Sequence, residues 1–385
     1  MEEPLSFMDS QDKEKQVFLR RNVDTIFIML GHECNLNCKY CLQHPLVHEQ
    51  ISHKINPDIY DFIDQICHES VWKPRLQFFG GEPTLFFRTV KEIVEEVTKR
   101  NIDIAGWSLL SNGKLINEEM VEFFNKHKFI VGISWDGYNV KQTRGYNAFE
   151  DPEHRALILK INDLWVSAVL SAYNSPKQIC AAFQELDEEY YKIHDSHIRM
   201  NVDDIFDTGG LAKDLLDINY DMIMRENTEM TKEYLQDWIN GDVPKEHYAR
   251  NVYINQIYNM ITSFYMTDKH EEQYMFSCCG NGFNVLNMGL DGTLYPCHNT
   301  SETCGTIYSS YESYLEELLK TDNTKERYKA ECKDCVAMAY CRCGCKLVPD
   351  KEREESYCKL KKAVSLPVLS MIQNFKEEAY KKDES

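Results

Sequence analysis

Cys34-Asn35-Leu36-Asn37-Cys38-Lys39-Tyr40-Cys41 is the stretch on which the reading of this 385-residue chain turns. Its C-x3-C-x2-C spacing gives three thiolates to one site. Four cysteines close a cubane iron–sulfur cluster, whereas three leave one iron with an open coordination position for a substrate. Structural zinc sites instead use C-x2-C pairs and four ligands.

Working outward, Gly80-Gly81-Glu82-Pro83-Thr84 follows, then Ser111-Asn112-Gly113, then Ser134-Trp135-Asp136-Gly137. Each is a weak signal alone, and Gly80-Gly81 alone reads as a turn. In this order, with Tyr40 before the third cysteine, the chain resembles the radical SAM superfamily. The resemblance implies a 4Fe–4S cluster on Cys34, Cys38 and Cys41, and S-adenosylmethionine (SAM) on its open iron. It implies SAM contacts at Gly80, Gly81 and Glu82, where backbone must approach a ligand closely. It places Ser111, Asn112, Ser134 and Asp136 near the ribose or the methionine carboxylate.

The later cysteines carry a second resemblance, to the SPASM extension of peptide-modifying radical SAM enzymes. Cys279 is followed by Gly292-Thr293-Leu294-Tyr295-Pro296-Cys297, then by Cys332, Cys335, Cys341 and Cys345, and Cys358 closes the set. The family pattern assigns Cys279, Cys297 and Cys345 to one auxiliary 4Fe–4S cluster, and Cys332, Cys335, Cys341 and Cys358 to a second. The inner set lacks the cysteine that sulfatase-maturing relatives add shortly after the first. Cys278, Cys304 and Cys343 are candidate substitutes, and an open iron is the alternative. His298 stands where formylglycine-generating relatives carry an acidic general base, and Gln43 where they carry an aromatic. A histidine titrating near 6.5 can accept a proton, so His298 is the candidate catalytic base, against a supporting or surface role.

Apolar runs alternating with helical patterns place strands at 24–30, 75–79, 104–110, 129–134, 165–172 and 197–202. Helices are expected at 56–67, 88–100, 117–127 and 176–189, with Pro57 in a first turn and Asn117 as an N-cap. Such alternation makes a parallel α/β sheet, and the expected fold is a partial (β/α)6 TIM-type barrel with a small cysteine-rich C-terminal SPASM domain. Every candidate SAM motif follows a strand, at the carboxyl rim where such folds place their sites. The expected organisation is a lead-in at 1–22, the barrel at 23–202, a helical bridge at 203–275, the auxiliary-cluster domain at 276–361, and a final helix and tail at 362–385. Met222, Met230, Trp238, Tyr253, Ile257 and Met260 are the expected packing positions of the bridge. Cys67 and Cys180 read as core thiols, and His32, His44 and His48 as solvated loop residues.

The net charge of −19 lacks a basic stripe and argues against nucleic-acid binding. There is no apolar run long enough for a membrane span and no signal peptide at Met1-Glu2-Glu3-Pro4, so a cytoplasmic setting is expected. There, 15 cysteines point to metal or catalysis rather than disulfides. The resemblance implies a peptide maturase. A 5′-deoxyadenosyl radical abstracts hydrogen from a ribosomal peptide, which forms a thioether or carbon–carbon crosslink. Its partners would be a peptide substrate, a flavodoxin- or ferredoxin-type electron donor and, for leader recognition, a separate protein. Sulfatase maturation, peptide epimerisation or dehydrogenation, and a cluster-dependent sensing protein without turnover remain open.

Overall fold

The computed structural model describes residues 23–46, 51–208, 211–241, 244–266, 279, 284–321 and 324–383. Six strands, β1 (Thr25–Met29), β2 (Arg75–Phe79), β3 (Gly106–Ser111), β4 (Ile130–Ser134), β5 (Leu164–Leu170) and β6 (Arg199–Asp204), lie side by side in chain order, each parallel to the next. Between them run α1 (Asp58–Glu69), α2 (Phe87–Lys99), α3 (Glu118–Lys126), α4 (Val140–Arg144), α5 (Pro152–Ile158) and α6 (Pro176–His194).

A parallel sheet wound in one direction carries its helices on one face and leaves the other for a lumen. The strand residues follow that division. Ile26, Ile28, Leu76 and Phe78 are fully buried, while Phe27 and Phe79 on the opposite face are only half-buried. On β6 the residues in phase with Asp203 are Arg199 and Asn201, and Arg199 and Asp203 are exposed.

Local sequence fixes the elements. Asn117 caps α3 by accepting from the Met120 amide at 3.0 Å. Ser175 and Gln178 form a capping box on α6, with Pro176 at its first position. Pro57, expected inside the first helix, instead sits at its N-cap, and α6 and β6 run further than their patterns suggest.

Of the next two helices, α7 (Tyr220–Asn240) and α8 (Tyr248–Met266), α8 packs beside β6 and α7 packs on α8 and α6. Gln256 on α8 pairs with both backbone groups of Val202 (3.1 and 3.0 Å), capping an otherwise open sheet edge. Met230, Tyr253 and Ile257 are buried as expected. Trp238 is 64% exposed, a correction to its expected packing role: it follows a turn behind the apolar stripe and faces water.

The sheet does not end with the barrel. β7 (Val285–Gly289) pairs parallel with β1, Thr25 opposite Val285, and β8 (Thr293–Tyr295) and β9 (Gly305–Thr306) extend it antiparallel. Beyond them lie α9 (Tyr311–Lys320), the short α10 (Met338–Cys341) and α11 (Cys358–Asp383), which packs on α7 and α8. No helix of the described residues is long and apolar enough to cross a membrane.

Candidate active site

The C-x3-C-x2-C loop leaves the carboxyl end of β1 and is held there by the β2 turn. The Gly81 amide donates to Gly31 O and the Glu82 amide to Glu33 O, both at 2.9 Å, continuing the parallel pairing past the strands. A Cβ on Gly81 would stand 2.2 Å from Glu33 O and 2.4 Å from His32 O. Gly80, at φ +145°, has no more room. The two glycines therefore permit backbone to lie against the backbone that carries Cys34.

Glu82 is buried and accepts four hydrogen bonds. They come from the Thr84 amide (2.9 Å), Thr84 Oγ1 (2.6 Å), Ser111 Oγ (2.8 Å) and the Asn112 amide (2.7 Å). Burial pushes its carboxyl up, against the pull of those donors. It ties the ends of β2 and β3 together. Asn112 then reaches the cluster loop, donating to Asn35 Oδ1 at 2.7 Å with Cys34 Sγ at 3.9 Å.

Asp136, after β4, accepts from the Tyr40 hydroxyl, Thr143 Oγ1, Arg144 Nε (3.1 Å) and Nη2 (3.0 Å), and the Val169 amide (3.0 Å). Tyr40 lies inside the cysteine run, so Asp136 clasps the loop from the far side. Lys39 N donates to Thr143 O at 2.9 Å, and Cys38 Sγ approaches Arg144 O at 4.0 Å. Glu82, Ser111 and Asp136 thus spend their side-chain atoms on the chain itself, while Ser134 stays half-buried at the end of β4.

Cys34, Cys38 and Cys41 lie within electrostatic reach of one another. Burial pushes the Cys38 thiol up to about 12, offset in part by Arg144, and raises Cys34 as well. Such thiols ionise when a metal supplies the compensating charge.

The second thiol group is Cys279, Cys297 and Cys345. Burial first, then Cys279 and Cys345, push Cys297 up to about 12. The third is a cavity lined by Cys332, Cys335, Cys341 and Cys358, with Arg353 donating toward Cys332 Sγ and Cys358 Sγ at 4.0 Å each. Among the described residues no three His, Cys, Asp or Glu side chains converge tightly enough to grip one ion.

A model of the 4Fe–4S single cluster domain matches residues 25–148. A cysteine-type anaerobic sulfatase-maturating enzyme of Clostridium perfringens is 25% identical over 352 residues, 84% of this chain and 88% of that one. This chain is a radical SAM enzyme. Among solved structures, native anSMEcpe with bound AdoMet aligns over 91% of this radical SAM chain and 99% of its own, with TM-score 0.60 and 21% identity. Streptococcus suis SuiB bound to precursor peptide SuiA aligns over 91% and 79%, with TM-score 0.59 and 17% identity. Those two likenesses are of fold.

His298, read from sequence as the candidate base, sits in the lumen of this radical SAM fold. Its ring stacks on Phe27 (centroids 4.6 Å apart, 11° between planes) and meets Phe79 edge-on at 4.5 Å. Burial lowers it to about 4, so the imidazole is neutral at physiological pH.

Several contributors escaped the sequence reading. Gln43 is buried, with its Oε1 3.0 Å from His32 Nδ1 and its Nε2 donating to His298 O and to Asn299 Oδ1 (2.8 Å). It joins the cluster loop to the Tyr-Pro-Cys segment. His32, expected in solvent, is 3% exposed, because its ring packs beneath that joint. The His44 side chain and His48 lie outside the described residues. Arg144, ten residues after β4, is the buried partner of Asp136. Asp203 projects, exposed, from the carboxyl half of β6 with Asn201 Nδ2 donating to it at 2.9 Å. The period-two alternation of β6 was the available signal. The candidate fourth ligands of the inner group separate: Cys304 is buried against the core near Tyr314, Cys343 lines the outer cavity, and Cys278 lies outside the described residues.

Proposed function

We propose that this radical SAM enzyme matures a peptide, abstracting hydrogen from a carbon of a bound residue so that a thioether or carbon–carbon crosslink forms. When bound, the clusters and SAM supply the carbon radical and take up the surplus electron. Cys34, Cys38 and Cys41 would hold the SAM cluster. Cys279, Cys297 and Cys345 would hold the inner auxiliary cluster, and Cys332, Cys335, Cys341 and Cys358 the outer. Gly80, Gly81, Glu82, Ser111, Asn112, Ser134 and Asp136 would shape the SAM pocket, Glu82 and Asp136 by bracing the loop rather than by open contacts.

The observation that carries this reading is His298 packed against Phe27 and Phe79, on the sheet face opposite the helices. Forming a thioether from a C–H and an S–H releases one hydrogen atom, one proton and one electron. The imidazole, neutral between those rings, would take that proton. Support for a peptide substrate comes from the neighbours. One anSMEcpe structure holds a Cp18Cys peptide, and SuiB holds its precursor peptide. An electron donor of flavodoxin or ferredoxin type and a cytoplasmic setting belong to the same proposal, as does a separate leader-binding protein.

Sulfatase maturation is the second reading, favoured by the near full-length likeness to the Clostridium perfringens enzyme. Anaerobic incubation of the reconstituted enzyme with a cysteine-containing sulfatase peptide, read by aldehyde capture, separates the two. Aldehyde formation replaces the crosslinking proposal. A crosslink shows as loss of a hydrogen pair and of an alkylatable thiol from the substrate. Cys38→Ala is expected to abolish 5′-deoxyadenosine formation in either case, and retained turnover in that variant overturns the site assignment.

A further inference from the structure

The outer cavity contains one cysteine more than a cubane uses. Besides Cys332, Cys335, Cys341 and Cys358, its wall includes Cys343. That residue is 1% exposed and forms a small buried cluster with Cys332 and Met338. Its sulfur lies 3.8 Å from Met338 Sδ, and it packs against Cys332 in that cluster.

The backbone is bent to bring it there. Arg342, Cys343 and Gly344 hold φ of 49°, 65° and 77° in succession. Left-handed backbone disfavours residues other than glycine, and two precede the glycine. The bend takes the chain from Cys341, in the outer cavity, to Cys345, beside Cys297. A residue of any kind at 343 would serve as a spacer. A thiol packed against another thiol in the wall of one cavity suits a site that binds soft metals.

We propose that Cys343 is an alternative ligand of the outer auxiliary cluster, exchangeable with Cys332. The inference rests on the reading that this cavity holds a 4Fe–4S cluster. Four thiolates close such a cluster, so a fifth within reach keeps the site closed when Cys332 is lost. The exchange breaks one iron–thiolate bond and forms another, with the proton of the Cys343 thiol passing to Cys332, and no electrons move. Cys332 is the partner because it is the thiol Cys343 already touches. Arg353, within 4.0 Å of Cys332 Sγ and paired with Glu331 at 2.8 Å, keeps a positive charge beside either ligand.

Iron per chain after anaerobic reconstitution tests this in five proteins: the unaltered chain, Cys332→Ala, Cys343→Ala, the double variant and Cys341→Ala. The reduced clusters are followed in parallel by electron paramagnetic resonance. Cys332→Ala and Cys343→Ala are each expected to keep the unaltered iron content. The double variant and Cys341→Ala are expected to lose about four irons and one cluster signal. Loss of about four irons from Cys332→Ala alone overturns the proposal, as does a double variant that keeps them. If Cys341→Ala itself keeps all its iron and signals, the cavity holds no cluster and the underlying reading fails instead. Should Cys332→Ala lack a thermal unfolding transition, Cys332→Ser restores the packing, and iron loss there overturns the proposal in the same way.

Discussion

The residues that matter most here act on the backbone rather than on a ligand. Gly81→Ala would drive a Cβ into the carbonyls of His32 and Glu33, neither of which has a flexible end to yield. The cluster loop must shift, and the expected outcome is loss of about four irons while the auxiliary signals persist. A Gly81→Ala protein with full iron and normal 5′-deoxyadenosine production would contradict it. The glycines and the cysteine run were legible in the sequence because their spacing is local. The purpose of the glycines was not: a ligand and a second strand of backbone both demand a missing Cβ, and only the register of β1 against β2 distinguishes them.

Between elements, the clasp around the cluster loop is the decisive contact. Asp136 closes the β4 turn onto Tyr40, which is 96 positions away, and onto Arg144 and Val169. Asp136→Ala leaves the Arg144 guanidinium buried without its partner, a defect that costs about 3–5 kcal/mol. Chemical denaturation reads that loss, and an intact denaturation midpoint would show that the clasp is dispensable. Alternation of apolar runs and helical stripes gave all six barrel strands, because each buries a face that local sequence must supply. It could not show Asp136 paired with Arg144, or Gln43 with His298, 255 positions apart. Polar pairs carry no periodicity, and their spacing is set by the sheet order. Trp238 failed for the opposite reason: a large apolar residue on an amphipathic helix counts toward the stripe even when its own angle points outward.

At the scale of the whole molecule, a largely buried cation is one of the ties between barrel and cysteine-rich region. Lys361 Nζ lies 2.8 Å from Asp204 Oδ2 at the end of β6, over the rings of Tyr340 and Tyr357, and Lys361 lines the outer cavity. Tyr340 donates to the same carboxylate at 3.0 Å. Lys361→Met is expected to destabilise the protein by about 3–5 kcal/mol in denaturant, with Lys361→Met combined with Asp204→Asn recovering part of it. Additive losses in the double variant would mean that the two side chains act separately. The order of the cysteines revealed this second region at once, whereas its attachment was invisible. The sequence shows a bridge of helices between two regions, and a bridge suggests parts that can be taken apart. The pairing of β1 with β7 says otherwise, since residues 25–29 are an interior strand only while residues 285–289 lie beside them. A barrel cut free of its C-terminal half would bare a row of unpaired amides and carbonyls along Thr25–Met29, next to the very loop that carries Cys34, and would be prone to join edge to edge with its copies. Any chimaera of the chain must therefore be spliced with the Thr25-to-Val285 register kept.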